Sequence, residues 1–280
     1  MRINRVIYWV TIVILVAIIL TCGGVIAHKF ITDAQEQQIY DEILATMPSM
    51  ERPPVSSDPT KPSEPDSPAD GTEPENGDPI KPPPVFPESE ILYGYRAMYQ
   101  LNNDMVGFID IPGTSIRYPV VQSPYQANYY LRRNFYKRSA TCGTIYVREA
   151  CDVNKPSDNV TIYGHKMTNG TMFADLHLFK EKDFWEKNSI IYFDTLTEQH
   201  TYKIFAVFQT TANRPDSFNY HLFDDTNNAA EFAQFVKTCK QFSYYETDIT
   251  PTYGDKLITL STCDKDINDG RLVVVAYRIQ

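Results

Sequence analysis

Residues 256–271 read KLITLSTCDKDINDGR, and the chain continues as LVVVAYRI. An apolar run ends on Cys263, seven mostly polar residues follow, and Arg271 opens a second apolar run. A parallel connection between neighbouring strands needs about a dozen residues or more, so these two runs read as an antiparallel hairpin. That pairing returns Arg271 beside the Cys263 end. A free thiol with a pKa near 8.5 is only about 3% thiolate at pH 7. A neighbouring guanidinium favours the thiolate and can stabilise an oxyanion. The competing reading is a solvated loop in which Arg271 pairs with Asp264 or Asp266.

Working outward, residues 89–280 are dense in short β-branched and aromatic runs. Strands are expected at 105–111, 116–121, 143–147, 159–164, 189–195, 200–210, 256–262 and 271–279. Helices are expected at 89–101, around 172–179 and at 227–242, where Asn and Asp precede the helix as candidate caps. Eight short strands with few helices point to a mainly β fold, a closed or nearly closed barrel.

The N-terminal third is different material. Residues 6–27, VIYWVTIVILVAIILTCGGVIA, carry no charge over 22 positions, and a spanning helix needs about 20 apolar residues. Arg2 and Arg5 precede the run, so residues 1–5 are expected in the cytoplasm and the rest outside, as a single-pass membrane protein. A cleaved signal peptide and a lipoprotein joined through Cys22 are the rival readings; the run lacks an A-x-A site, and ILT is a poor match before a lipidated cysteine. Residues 28–47 have the composition of a membrane-proximal helix. Residues 48–88 read as a Pro-rich acidic linker. From 48 to 90 lie thirteen of the 19 prolines and ten acidic residues against three basic ones, a net −7 of the chain's −9. Such a stretch cannot bury enough apolar surface to offset chain entropy, and disorder is expected. Extended as polyproline II it reaches about 130 Å, as a flexible coil about 35–40 Å. With that charge set aside, the folded part is nearly neutral, and no nucleic-acid partner is expected.

Cys142, Cys151 and Cys239 read as small buried hydrophobes, with a Cys142–Cys151 disulfide as an alternative. Cys263 does not fit that reading, because it ends a strand where polar sequence begins. A thiol nucleophile needs a base. Among five histidines, His165 alone projects from a strand end, in NVTIYGHKM. The histidines show no ligand spacing and no CxxC is present, so no metal is expected. DKDIND has Gly270 one place too late, and Val275 where the glutamate of a calcium loop would fall. No cofactor is implied.

TLSTC with an arginine eight residues on, preceded 98 residues earlier by the histidine of IYGHKM, resembles the sortases, membrane-anchored cysteine transpeptidases of Gram-positive bacteria. NNDMVGFIDIPGTSIRYPVVQ, NYYLRRNF and TMFADL are also similar to sortase sequence, and the long helix near 227–242 with the extra N-terminal helix resembles class B. The likeness covers about residues 90–280. The chain departs from the pattern in its Pro-rich spacer and its slightly short Cys-to-Arg interval. The resemblance implies the eight-stranded sortase barrel, with Cys263 as nucleophile, His165 as general acid and base, and Arg271 as oxyanion stabiliser. It implies Leu131, Tyr163, Ser261 and Thr262 along the substrate groove. It further implies cleavage of a C-terminal sorting signal after Thr on a surface protein or pilin, and acyl transfer to an amine of the peptidoglycan cross-bridge or to a pilin lysine. Papain-like and amidase enzymes place Cys before His, the reverse of this order. A stalked, non-enzymatic surface-binding module is the reading from another class; in it, Cys263 would show no selective alkylation at neutral pH.

Overall fold

The computed structural model describes residues 2–47, 86–123, 126–212, 214, 217–264 and 267–280. The predicted linker therefore lies almost wholly outside the described residues. The chain divides into two compact units, residues 1–42 and residues 43–280. One continuous helix, α1 (Arg2–Ala45), which makes up the described part of the first unit and continues three residues past it, runs through both the apolar stretch and the helix expected after it. It is long and apolar enough to cross a membrane, a candidate transmembrane segment.

The second unit is built on eight strands: β1 (Met105–Asp110), β2 (Arg117–Val121), β3 (Tyr146–Val147), β4 (Asn159–Tyr163), β5 (Ile190–Thr195), β6 (Thr201–Thr211), β7 (Leu257–Asp264) and β8 (Gly270–Arg278). They close into a barrel in the order β1-β2-β3-β4-β7-β8-β6-β5. Two pairings are parallel, β2 with β3 and β4 with β7, and the rest are antiparallel. The β4-to-β7 connection spans most of the second half of the chain, long enough to carry helices and return in parallel. The β7–β8 connection is short, and the hairpin is antiparallel as the sequence predicts.

The helices are α2 (Arg96–Leu101), α3 (Lys182–Asn188) and α4 (Ala229–Phe242). The expected helix near residue 172 is a 3-10 segment, Ala174–Lys180, and α3 follows it. Asn228 caps α4 by accepting from the Ala230 N–H at 2.9 Å. Phe232, Phe235, Val236 and Cys239 of α4 pack with Val273 and Val275 of β8 and Phe205 and Phe208 of β6. Successive strand residues face opposite ways, so Leu272 and Val274 turn into the barrel while Val273 and Val275 meet α4. A strand covered on both faces reads as an unbroken apolar run, and LVVVA at 272–276 is that run, each residue at most 1% exposed.

Candidate active site

β7 lies between β4 and β8. From Leu257 to Thr262 it is buried, and Cys263 is its one exposed residue. On one side Cys263 pairs with Arg271 in the antiparallel register. Side chains directly opposite each other share a face, with Cβ atoms about 4.5–5.5 Å apart. On the other side Tyr163 of β4 is level with Ser261, and the Gly164 N–H donates to the Ser261 carbonyl at 3.1 Å. Two residues further along each parallel strand stand His165 and Cys263. Three adjacent strand ends thus bring His165, Cys263 and Arg271 to one edge of the barrel.

His165 is fixed through its Nε2, which lies 2.8 Å from the Leu131 carbonyl oxygen. A carbonyl only accepts, so Nε2 carries the proton and the neutral ring leaves Nδ1 as its basic atom. Leu131 sits in a 3-10 turn, Tyr129–Arg132. Gly143, at φ 61, passes directly beneath it: a Cβ there would come within 2.6 Å of the Leu131 carbonyl oxygen. Gly164 is equally confined, since a Cβ would meet Ile145 at 2.5 Å and Phe173 at 2.6 Å. Burial holds the His165 imidazole below its ordinary pKa; the bond to Leu131 opposes that and the nearby Arg132 adds to it. The ring is therefore neutral at neutral pH, ready to accept a proton.

Arg271 is oriented by the turn before it, donating to the Gly270 carbonyl at 2.9 Å and to the Asp269 carbonyl at 3.4 Å. Asp269 holds φ at 56 to make that turn. Asp264, the first of the rival loop partners, is paired with Lys180 at 2.7 Å instead. Asp266 lies outside the described residues.

Of the expected groove residues, Leu131 is 38% exposed beside His165. Tyr163 is partly buried, its ring 5.4 Å from that of Tyr146. The Ser261 hydroxyl is 2.6 Å from the Tyr220 hydroxyl. Thr262 points to the opposite face from Ser261 and Cys263 and is 2% exposed; its hydroxyl meets no hydrogen-bond partner among the described residues. Sequence reasoning missed Tyr146 and Tyr220. Both phenols are pushed up by burial and sense the charges of Cys263 and Arg271. No local sequence signal marks them, because Tyr146 is in a two-residue strand and Tyr220 in a short turn. Cys142, Cys151 and Cys239 are buried thiols, and the alternative disulfide is not formed. Burial raises the Cys151 and Cys239 thiols, which disfavours their thiolates. A cavity of about 620 Å³ bordered by Arg96, Tyr99, Tyr136, Lys137 and Arg138 includes none of the three strand-end residues. Its size is no argument for chemistry there.

The sortase domain family matches residues 109–279. Sortase B of Listeria monocytogenes is 35% identical over 188 residues, covering 66% of this chain and 74% of that protein. A Staphylococcus aureus sortase B–substrate complex is 30% identical with a TM-score of 0.62, covering 68% of this chain and 86% of that one. A sortase B complexed with triglycine is 29% identical with a TM-score of 0.61, covering 67% and 86%. The eight-stranded mixed barrel, the edge it builds around Cys263 and these likenesses agree: the chain belongs to the sortase family, is class B-like, and is a cysteine transpeptidase.

Proposed function

We propose that this transpeptidase cleaves a C-terminal sorting signal after Thr, with Cys263 as nucleophile, His165 as acid and base, and Arg271 as oxyanion stabiliser. The observation that carries the reading is the position of Cys263, exposed at the end of β7 between the β4 end that bears His165 and the β8 end that bears Arg271. As Sγ attacks the Thr carbonyl carbon, the thiol proton passes to His165 Nδ1, and the imidazolium keeps its Nε2–H bond to the Leu131 carbonyl. Negative charge builds on the carbonyl oxygen beside the Arg271 guanidinium. When the C–N bond breaks, the leaving amine takes the proton from Nδ1 and a thioacyl enzyme remains. An acceptor amine then attacks the thioester, gives a proton to Nδ1, and releases the Cys263 thiolate to be reprotonated. That a similar sortase B is solved with a substrate and another with triglycine supports a peptide donor and an amine acceptor.

Leu131 and Tyr163 border the peptide groove, with Ser261 and Thr262 supporting the nucleophile from β7. The acceptor is a peptidoglycan cross-bridge amine or a pilin lysine. Residues 6–27 anchor the enzyme with residues 1–5 in the cytoplasm and residues 89–280 outside, and residues 48–88 act as the spacer. Incubation with sorting-motif peptides and mass spectrometry of the intact protein tests the chemistry. A thioacyl adduct at Cys263, released by an added amine, is expected; its absence under conditions in which the barrel is folded overturns the reading.

A further inference from the structure

The connection between β6 and α4 carries a 3-10 turn, Tyr220–Leu222, whose Tyr220 hydroxyl reaches Ser261 on β7. Just beyond the turn, Asp224 forms an ion pair with Arg148, the residue that follows β3. We propose that Arg148 and Asp224 are a positioning pair, whose bond sets where the Tyr220 turn sits against the Cys263 edge and so how well the sorting peptide is held. The inference rests on the reading of Cys263 as the nucleophile.

Both ends of this clamp are built in. Arg148 donates its backbone N–H to the Thr161 carbonyl at 2.8 Å, and its own carbonyl accepts from Gln122 Nε2 at 3.0 Å. Its guanidinium therefore projects from a fixed point on the barrel. The Asp224 carbonyl accepts from the Asn159 N–H at 2.8 Å, and Asn159 Nδ2 donates to the Phe223 carbonyl at 2.9 Å. Residues 225 and 226 are held separately: Asp225 accepts from Ser157 Oγ at 3.0 Å and from the Asp158 N–H at 2.9 Å, and the Thr226 N–H donates to Asp158 at 3.0 Å. Among these bonds the Arg148–Asp224 pair is the one between opposite charges, and it joins the chain just beyond the turn to the residue that follows β3. Both side chains are only 18% exposed. A buried ion pair adds little net stability over an apolar pair, but removing one partner strands the other charge. Its geometry is more directional than an apolar contact, because hydrogen bonds between charged groups are short and fixed in angle. His221, within the turn, senses Arg148, Asp224 and Arg271 together. The clamp thus ties the residue that follows β3 to the chain whose Tyr220 hydroxyl meets Ser261 on β7.

The test uses the full chain in detergent micelles, with Arg148→Lys, Asp224→Asn and the exchanged pair Arg148→Asp/Asp224→Arg. For a sorting-motif peptide, each single change is expected to raise KM about tenfold and leave kcat within about twofold, the pattern of lost binding rather than lost chemistry. The exchanged pair should recover most of that loss. In hydrogen exchange, the amides of residues 217–226 should exchange faster in the single variants while those of β8 stay as in the parent. An unchanged KM in both single variants, whatever happens to melting temperature, overturns the proposal. So does a KM raised equally in the exchanged pair. If the parent enzyme itself forms no thioacyl adduct, the nucleophile assignment fails instead; hydrogen exchange then decides the clamp, and unaltered exchange at 217–226 in both single variants overturns it.

Discussion

The β7–β8 hairpin contains two regions that obey different rules. Along its middle, on the face that Cys263 and Arg271 share, Thr259 and Ser261 face Val275 and Val273, and all four are at most 2% exposed. At its end, Cys263 faces Arg271; the cysteine is exposed, and the arginine is bound by its own turn. The backbone pairing is continuous across both. What changes is the cover: α4 packs over Val273 and Val275, and the cluster it builds there does not extend to Cys263. The barrel edge opens to solvent where the helical layer stops, with the paired strands still supplying the frame.

The largest effect is expected from altering the Cys263 end alone. Cys263→Ala is expected to abolish thioacyl formation and peptide cleavage while the melting temperature stays within a few degrees. Cys142→Ala, Cys151→Ala and Cys239→Ala should all still acylate, since those thiols are buried. Turnover near the parent level by Cys263→Ala would end the assignment. Arg271→Ala and Arg271→Lys come next. Removing an oxyanion donor costs about 10²–10³ in rate, and lysine keeps the charge without the planar fork. Both should slow acylation by about that factor, read by rapid-quench mass spectrometry, with little change in melting temperature. A solvated loop pair would contribute only about 0–1 kcal/mol and leave acylation intact.

The structural region gives the inverse result. Phe232 is fully buried between α4 and the β6–β8 surface, and truncating such a phenylalanine costs about 3–5 kcal/mol. Phe232→Ala should lower the denaturant midpoint accordingly, while enzyme that remains folded acylates at the parent rate. A parent-like midpoint would mean that α4 is not the cover described here.

The smallest effect is a pH dependence. Burial holds His165, His200 and His221 below the ordinary histidine pKa of about 6.5. As pH falls below 6.5 the unfolded chain takes up protons before the folded one does, so the stability these groups contribute is present above 6.5 and is lost as pH falls through their folded pKa values. Melting temperature should therefore drop between pH 7 and 5, less steeply in His165→Gln. Because His165 stays neutral further into acid than a free imidazole, the acid limb of kcat/KM should lie below pH 6.5. A limb above 6.5 would contradict the buried ring.

The strands were legible because β-branched runs between turn residues carry their own signal, and the seven residues between Cys263 and Arg271 forced the hairpin direction. The histidine was legible because Tyr163-Gly164-His165 ends a strand. Other features had no local signature. Helix α3, KDFWEKN, is short, and none of its residues is buried, so no apolar period marks it. The parallel pairing of β4 with β7 joins residues about a hundred positions apart. Leu131 was expected along the substrate groove; that its carbonyl holds His165 was not legible, because a sequence cannot show which backbone oxygen will be turned toward a ring. Tyr146 and Tyr220 reach the site only through tertiary packing.

The strand order also bears on when the edge around Cys263 is complete as the chain is made. β8 is the last of the eight strands along the chain, and it pairs with both β6 and β7. A nascent chain that has emerged only as far as residue 264 already contains His165 and Cys263, but β7 has a bare edge and no guanidinium beside its thiol. Docking of β8 closes the barrel and sets Arg271 opposite Cys263 in one act. On the assignment proposed above, Cys263 gains its cation only when the barrel that holds the peptide is closed.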